Sequence, residues 1–198
     1  GKEPGELGGL LWATEMPDPT YGYYADDIGR LTLDDPISFS GSVCNVDGQP
    51  DSGMMFGYFN TQALKTADFK ERLAQSMGLF VEGPSSVGKT LMAYCGAQKD
   101  LVKILSSPPL FQPDRRRRQF AFTYDPRANG GVGRCTLTLD GKSHVLDLSP
   151  ELRKSGATFD RFGMRNMRGG GKLVEIYFDD LTYTARRANG YKPTRHKQ

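Results

Sequence analysis

The stretch Arg134-Cys-Thr-Leu-Thr-Leu-Asp-Gly-Lys-Ser-His-Val-Leu-Asp-Leu148 constrains the fold more than any other part of the chain. Cys135, Leu137 and Leu139 alternate with Arg134, Thr136 and Thr138. A side-chain period of two is that of a strand with one buried and one wet face. Asp140-Gly141 supplies residues that tolerate the positive φ of a tight hairpin turn, and Val145-Leu146-Asp147-Leu148 is the return strand. The segment predicts an antiparallel hairpin.

The same pattern recurs on both sides. Gln119-Phe-Ala-Phe-Thr-Tyr124 puts Phe120, Phe122 and Tyr124 on one face and ends at Asp125-Pro126. Thr158 to Asn166 reads as a strand, Gly169-Gly-Gly171 as a turn, and Lys172 to Thr184 as a long final strand with Val174, Ile176 and Phe178 on one side. Upstream, Ile37 to Val46 and the aromatic-rich Gly53 to Asn60 are strand-like. Helix is scarce: Thr61 to Met77 fits either a helix or a long loop with one helical turn, and Leu91 to Ser107 is ambiguous. Short strands punctuated by Gly, Pro, Asn and Asp predict an all-β sandwich or barrel, in which the 24 Gly and 12 Pro mark turns. One domain over residues 1–198 is expected, with 1–9 and 186–198 as flexible ends.

Composition excludes classes without naming a function. A formal charge of +3 is too small to argue for a nucleic-acid partner, and none is expected. No run reaches the roughly 18 apolar residues of a membrane helix, so no membrane span is expected. Cys44, Cys95 and Cys135 show no C-x-x-C spacing and read as small core residues. Trp12, in the apolar run Leu10-Leu11-Trp12, reads as a core anchor.

Gly83-Pro-Ser-Ser-Val-Gly-Lys-Thr90 matches the phosphate-binding pattern G-x-x-x-x-G-K-[ST] at every fixed position. In a nucleotide hydrolase such a loop wraps phosphates with backbone N–H groups, while the Lys reaches the terminal phosphates. Met77 to Val81 could precede it as a strand, and Leu173 to Asp180 resembles a hydrophobic strand ending in a metal-binding acid. The wider pattern opposes this, because a P-loop needs parallel β-α-β units and the chain from Phe120 to Thr184 holds hairpins. Gly96 would weaken the following helix, and Pro84 removes one of the loop's N–H donors. Nucleotide hydrolysis is kept as the second alternative.

From Gly53 onward the order of features resembles concanavalin A-like (laminin-G-like) bacterial β-sandwich domains. The residues that carry it are Met55-Phe-Gly-Tyr-Phe-Asn60, Glu82-Gly-Pro-Ser-Ser-Val-Gly88, Phe122-Thr-Tyr-Asp-Pro126, Thr136-Leu-Thr-Leu-Asp-Gly141, Phe159-Asp-Arg-Phe-Gly163 and Ile176-Tyr-Phe-Asp-Asp-Leu181. The resemblance covers the chain from about Leu31 and implies a jelly-roll β-sandwich with little helix, of a kind found in extracytoplasmic proteins. The octet at 83–90 is then a β-turn, and Asp100 to Arg118 fits as an insertion. The same sandwich carries lectins, hydrolases, lyases and adhesion modules, so it implies a fold and not a reaction.

A sugar-binding face needs aromatic rings for pyranoses and polar side chains for hydroxyls. Tyr58, Asn60, Tyr94 and Arg118 are the candidate ligand-binding residues, placed by this architecture on neighbouring strands. Glycoside hydrolysis needs two opposed carboxyl groups. Glu175, Asp179 and Asp180 come nearest, but Glu175 and Asp179 lie on one strand face with Tyr177 between them and form no such pair, so no catalytic residue is assigned. Asp34-Asp35 and Asp179-Asp180 are the best acidic pairs, but no D-x-D-x-D loop accompanies them. No cofactor or metal site is expected beyond, at most, a structural calcium. Arg115 to Arg118, alternating between faces if in a strand, reads as a solvated run with an acidic polysaccharide as the partner to keep in view. The expected function is non-catalytic binding, to a carbohydrate or another protein, with a glycan hydrolase or lyase as the first alternative.

Overall fold

The structure is a computed structural model that describes residues 2–12, 22–49, 52–65, 73–82, 89–166 and 173–186, the first of these segments as backbone only. Among the described residues, twelve strands form two six-stranded sheets. They are β1 (Lys2–Trp12), β2 (Tyr23–Thr32), β3 (Ile37–Gly48), β4 (Met54–Phe59), β5 (Ser76–Glu82), β6 (Thr90–Gln98), β7 (Leu101–Ile104), β8 (Arg117–Asp125), β9 (Arg134–Leu139), β10 (Lys142–Asp147), β11 (Thr158–Asn166) and β12 (Leu173–Thr184). The first sheet runs β1-β12-β3-β8-β9-β10 and the second β2-β11-β4-β5-β6-β7. All strand pairings among the described residues are antiparallel.

The chain changes sheet at each step from β1 to β4, then runs two meanders, β4 to β7 and β8 to β10. β11 and β12 return to the gaps between β2 and β4 and between β1 and β3. Each sheet is therefore completed by one of the last two described strands. This is a jelly-roll β-sandwich, as the resemblance implies.

The hairpin forms in the expected register, with Lys142 opposite Leu139. Asp140 and Gly141 sit at φ 47° and 80°, the paired positive φ of a two-residue turn whose twist matches that of the strands. The ambiguous segment after Leu91 is a second hairpin, β6 and β7, turning at Lys99-Asp100. Thr90 opens a strand, not a helix, and both sheets lack the parallel β-α-β frame a P-loop requires. Residues 83–88 of the motif lie outside the described residues. Thr61–Lys65 is a short 3-10 turn. Residues 2–9, expected as a loose end, are strand, because β12 offers them an antiparallel ladder from Lys2↔Thr184 to Trp12↔Leu173, with one register break between Gly5 and Leu7. The side chain of Trp12 and residues 187–198 lie outside the described residues.

Alternation decides the core. Ile37, Phe39 and Val43 of β3, Phe120, Phe122 and Tyr124 of β8, and Cys135, Leu137 and Leu139 of β9 are buried between the sheets. They meet Met54, Phe56 and Tyr58 of β4 with Met77, Leu79 and Val81 of β5. β4 is buried on both faces, because Met55 packs with Leu73, Phe80 and Tyr94 in a second cluster on the other side of its sheet. Gly29, at φ 72°, is required by close packing: a Cβ there would lie 1.7 Å from the Arg186 carbonyl.

The structure also contains the helix α1 (Pro150–Ser155), which the sequence reading did not anticipate. Ser149 Oγ accepts from the Leu152 N–H, Pro150 opens the first turn and Gly156 ends it at φ 73°.

Candidate functional site

A ligand face has to present a ring to solvent with polar groups around it. The outer face of the first sheet does so on β12. Ile176 and Phe178 are turned into the core, 0% and 2% exposed, so Tyr177 between them faces outward at 45% exposed. Its cross-strand neighbours are short: Gly8 on β1 and Cys44 on β3. Cys44 in turn pairs with Arg117 on β8. Adjacent strands lie about 4.8 Å apart, so Tyr177 and Arg117 flank a low floor about 10 Å wide.

The polar groups around this floor are fixed. The Tyr177 hydroxyl donates to Glu175 Oε1 at 2.9 Å. This hydrogen bond, and then the carboxylate's charge, holds the phenol above its ordinary pKa, so the hydroxyl stays a donor. Arg117 Nη2 lies 2.8 Å from Asp179 Oδ2 and 2.6 Å from Asp180 Oδ2, and its Nε donates to Ser42 Oγ at 2.7 Å. The site combines an exposed ring, a small-residue floor, a guanidinium and carboxylates.

The residues expected to bind ligand are not brought together. Tyr58 is 0% exposed, and its hydroxyl donates toward the carbonyls of Ser38 and Thr184 across the sandwich. Burial pushes that phenol strongly upward. Tyr94 is 1% exposed on the opposite face of the same sheet. The register explains the split: Tyr58 pairs with Met77 and Tyr94 with Gly78, one step apart on β5. Beside Tyr94 lies Arg165, 3% exposed, which donates to Ser76 Oγ at 3.0 Å and covers the Phe59 ring at 5.2 Å. Asn60 is a turn residue, donating to Thr158 Oγ1 and accepting from the Gln62 N–H. Arg118 belongs to the other sheet, where it packs over the Phe111 ring and pairs with Asp114. That hydrogen-bonded pair pushes the Asp114 carboxyl down to about 2.

The acidic pairs are engaged by arginines. Asp34 pairs with Arg153, and Asp35 accepts from Thr32 and pairs with Arg186. Asp179 and Asp180 share Arg117. In the arginine run, Arg117 faces outward and Arg118 toward the Phe111 ring, the alternation a strand imposes.

Cys95 and Cys135 are core residues at 0% exposed, as expected, but Cys44 is part of the floor beside Tyr177 and is half-buried. Burial first, and then neighbouring Cys95, push the Cys135 thiol upward. A thiol-reactive dye should therefore label one cysteine per native chain, at Cys44, and all three after unfolding. Native labelling of Cys95 or Cys135 would show that the core opens on the labelling timescale.

No protein-family model and no curated protein matches the chain. Among solved structures, the carbohydrate recognition domain of Emp47p matches 93% of this chain and 88% of its own, with TM-score 0.54 and 15% identity. The carbohydrate recognition domain of Emp46p in a potassium-bound form matches 83% of this chain and 87% of its own, with TM-score 0.49 and 12% identity. An alginate lyase from Pseudomonas aeruginosa matches 88% and 86%, with TM-score 0.44 and 10% identity. The first match shows the fold to be a concanavalin A-like jelly-roll β-sandwich. At such identities the likeness is one of fold.

Proposed function

We propose that the chain is a non-catalytic carbohydrate-binding domain that receives its ligand on the outer face of the first sheet, with Tyr177 as the stacking platform. The observation that carries the reading is an exposed ring between two short neighbours, Gly8 and Cys44, flanked by Glu175 and Arg117. A pyranose ring can lie on such a ring and still reach carboxylate acceptors and guanidinium donors. The lectin-like fold supports the reading by analogy. Binding without catalysis is favoured because Glu175 and Asp179 sit on the same strand, the first engaged with Tyr177 and the second with Arg117. They do not oppose each other across a cleft, as glycoside hydrolysis requires. We also propose an extracytoplasmic site of action, which only the resemblance to concanavalin A-like domains supports. No helix among the described residues is long and apolar enough to cross a membrane.

The test is a glycan array that includes neutral, sulfated and uronic-acid polymers, followed by titration of the best hit. Tyr177→Ala should weaken binding about tenfold or more, the effect of removing an aromatic anchor. Its melting temperature should stay close to that of the parent, because the ring is 45% exposed. Bound glycan should also slow labelling of Cys44. An array without hits, or a hit that Tyr177→Ala leaves intact, would remove this reading.

A further inference from the structure

A cavity of about 410 Å³ opens at one end of the sandwich, away from the Tyr177 face, lined among others by Thr32, Asp34, Gln75, Arg153, Lys154 and Ser155. Its volume is in the range of small-molecule sites. The lining is polar, with Leu33 and Ala157 among its few apolar side chains, and carries two cations, Arg153 and Lys154, against one carboxylate, Asp34. Gln75 makes a rigid wall: its amide donates to the Ala97 carbonyl at 2.7 Å and accepts from the Thr158 N–H at 2.7 Å.

Arg153 is the distinctive group. Its Nη2 lies 2.7 Å from Asp34 Oδ1, while its Nε, shielded from solvent, has no hydrogen-bond partner. The Ser155 hydroxyl is likewise buried and unpartnered. A guanidinium presents Nε–H and the neighbouring Nη2–H as one edge, which a carboxylate satisfies with two parallel bonds. Asp34 takes only half of that edge. Its carboxylate is 80% exposed, so it returns to water at little cost. An unpaired donor shielded from water is costly, and the cost is recovered when a ligand supplies the acceptor.

We propose that the cavity binds a small hydroxylated carboxylate of monosaccharide size, a sugar acid either free or at the end of an acidic glycan. Asp34 holds the place of the ligand's carboxylate on Arg153. The ligand carboxylate spans the Nε/Nη2 edge, Lys154 adds charge at the rim, and Ser155 with Thr32 meets the hydroxyls. The site does not depend on the Tyr177 face, and either can fail alone.

Calorimetric titration at low salt with galacturonate and trigalacturonate tests the proposal, with glucose and acetate as controls. Saturable binding is expected for the uronates, weaker for acetate and absent for glucose. If the trimer binds no better than the monomer, the ligand is a free acid; tighter binding of the trimer points to a glycan end, and both agree with the proposal. Asp34→Asn should tighten uronate binding about three- to tenfold, because the internal competitor is gone. Arg153→Lys keeps the charge but loses the edge, and should weaken binding more than tenfold. Ser155→Ala should weaken binding without lowering the melting temperature, since its hydroxyl has no partner in the ligand-free protein. The proposal is overturned if galacturonate does not saturate at millimolar concentration, if glucose binds equally, or if Asp34→Asn weakens binding.

Discussion

Replacing Lys89 with alanine is expected to destabilise the protein by about 2–4 kcal/mol while leaving its response to Mg-ATP unchanged. Lys89 occupies the lysine position of the phosphate-loop pattern, yet it is 3% exposed. Its Nζ donates to the Ser52 carbonyl and, at 2.6 Å, to Ser52 Oγ. Its stem packs over Gly48, where an added Cβ would meet Cε at 2.9 Å. Its carbonyl accepts from the Phe111 N–H at 2.8 Å. The side chain thus ties the start of β6 to the end of β3, and truncation exposes the Ser52 oxygens and leaves a void. Urea unfolding of both proteins measures the loss, and nucleotide titration supplies the contrast. A phosphate-binding lysine would show Mg-ATP binding that vanishes in the variant with little change in stability. The sandwich gives the reverse: lower stability, and no saturable nucleotide binding in either protein.

Lys89 also shows how far the sequence could be read. The octet at 83–90 is a strong pattern only when a strand precedes it and a helix follows, and its surroundings are antiparallel. The hairpin at 134–148 was legible because both its periodicity and its Asp-Gly turn are local properties. β2 was not, because only Ile28 and Leu31 of this edge strand are buried. Gly29, at positive φ, and a register break opposite it in β11 interrupt what alternation remains. α1 carried its signals in plain form, Ser149 and Pro150 before it and Gly156 after it, but a six-residue helix with one buried side chain, Leu152, shows no periodicity. The site was harder. Parity within a strand predicts which residues share a face, but the register between β4, β5 and β6 decided that Tyr58 and Tyr94 point to opposite sides. Tyr177 was not among the expected ligand-binding residues, although its signal, an aromatic residue at an outward position between Ile176 and Phe178, lies in the sequence.

The largest loss of stability is expected at Phe39, where alanine should cost about 3–5 kcal/mol. Phe39 is 1% exposed and comes from the first sheet, but its contacts belong to both. It stacks on Phe122 at 4.8 Å within its own sheet and meets Phe120 at 6.0 Å. Across the sandwich it touches Phe56 and Phe162, both at 5.4 Å, and Tyr58 at 5.9 Å, with steeply inclined rings. Such edge-to-face pairs add about 0.5–1.5 kcal/mol beyond the area they bury. A cavity walled by five rings cannot close by moving one strand, because the rings come from three strands, β4, β8 and β11, in two sheets. Phe39→Leu fills most of the space and should cost well under half as much. For a chain of 198 residues the alanine loss corresponds to a fall in melting temperature of about 10 °C. Scanning calorimetry of both variants measures it, and a double-mutant cycle with Phe162→Leu isolates the contact between sheets. A loss under about 1 kcal/mol, or strict additivity in the cycle, would mean that the sheets are not joined through this cluster.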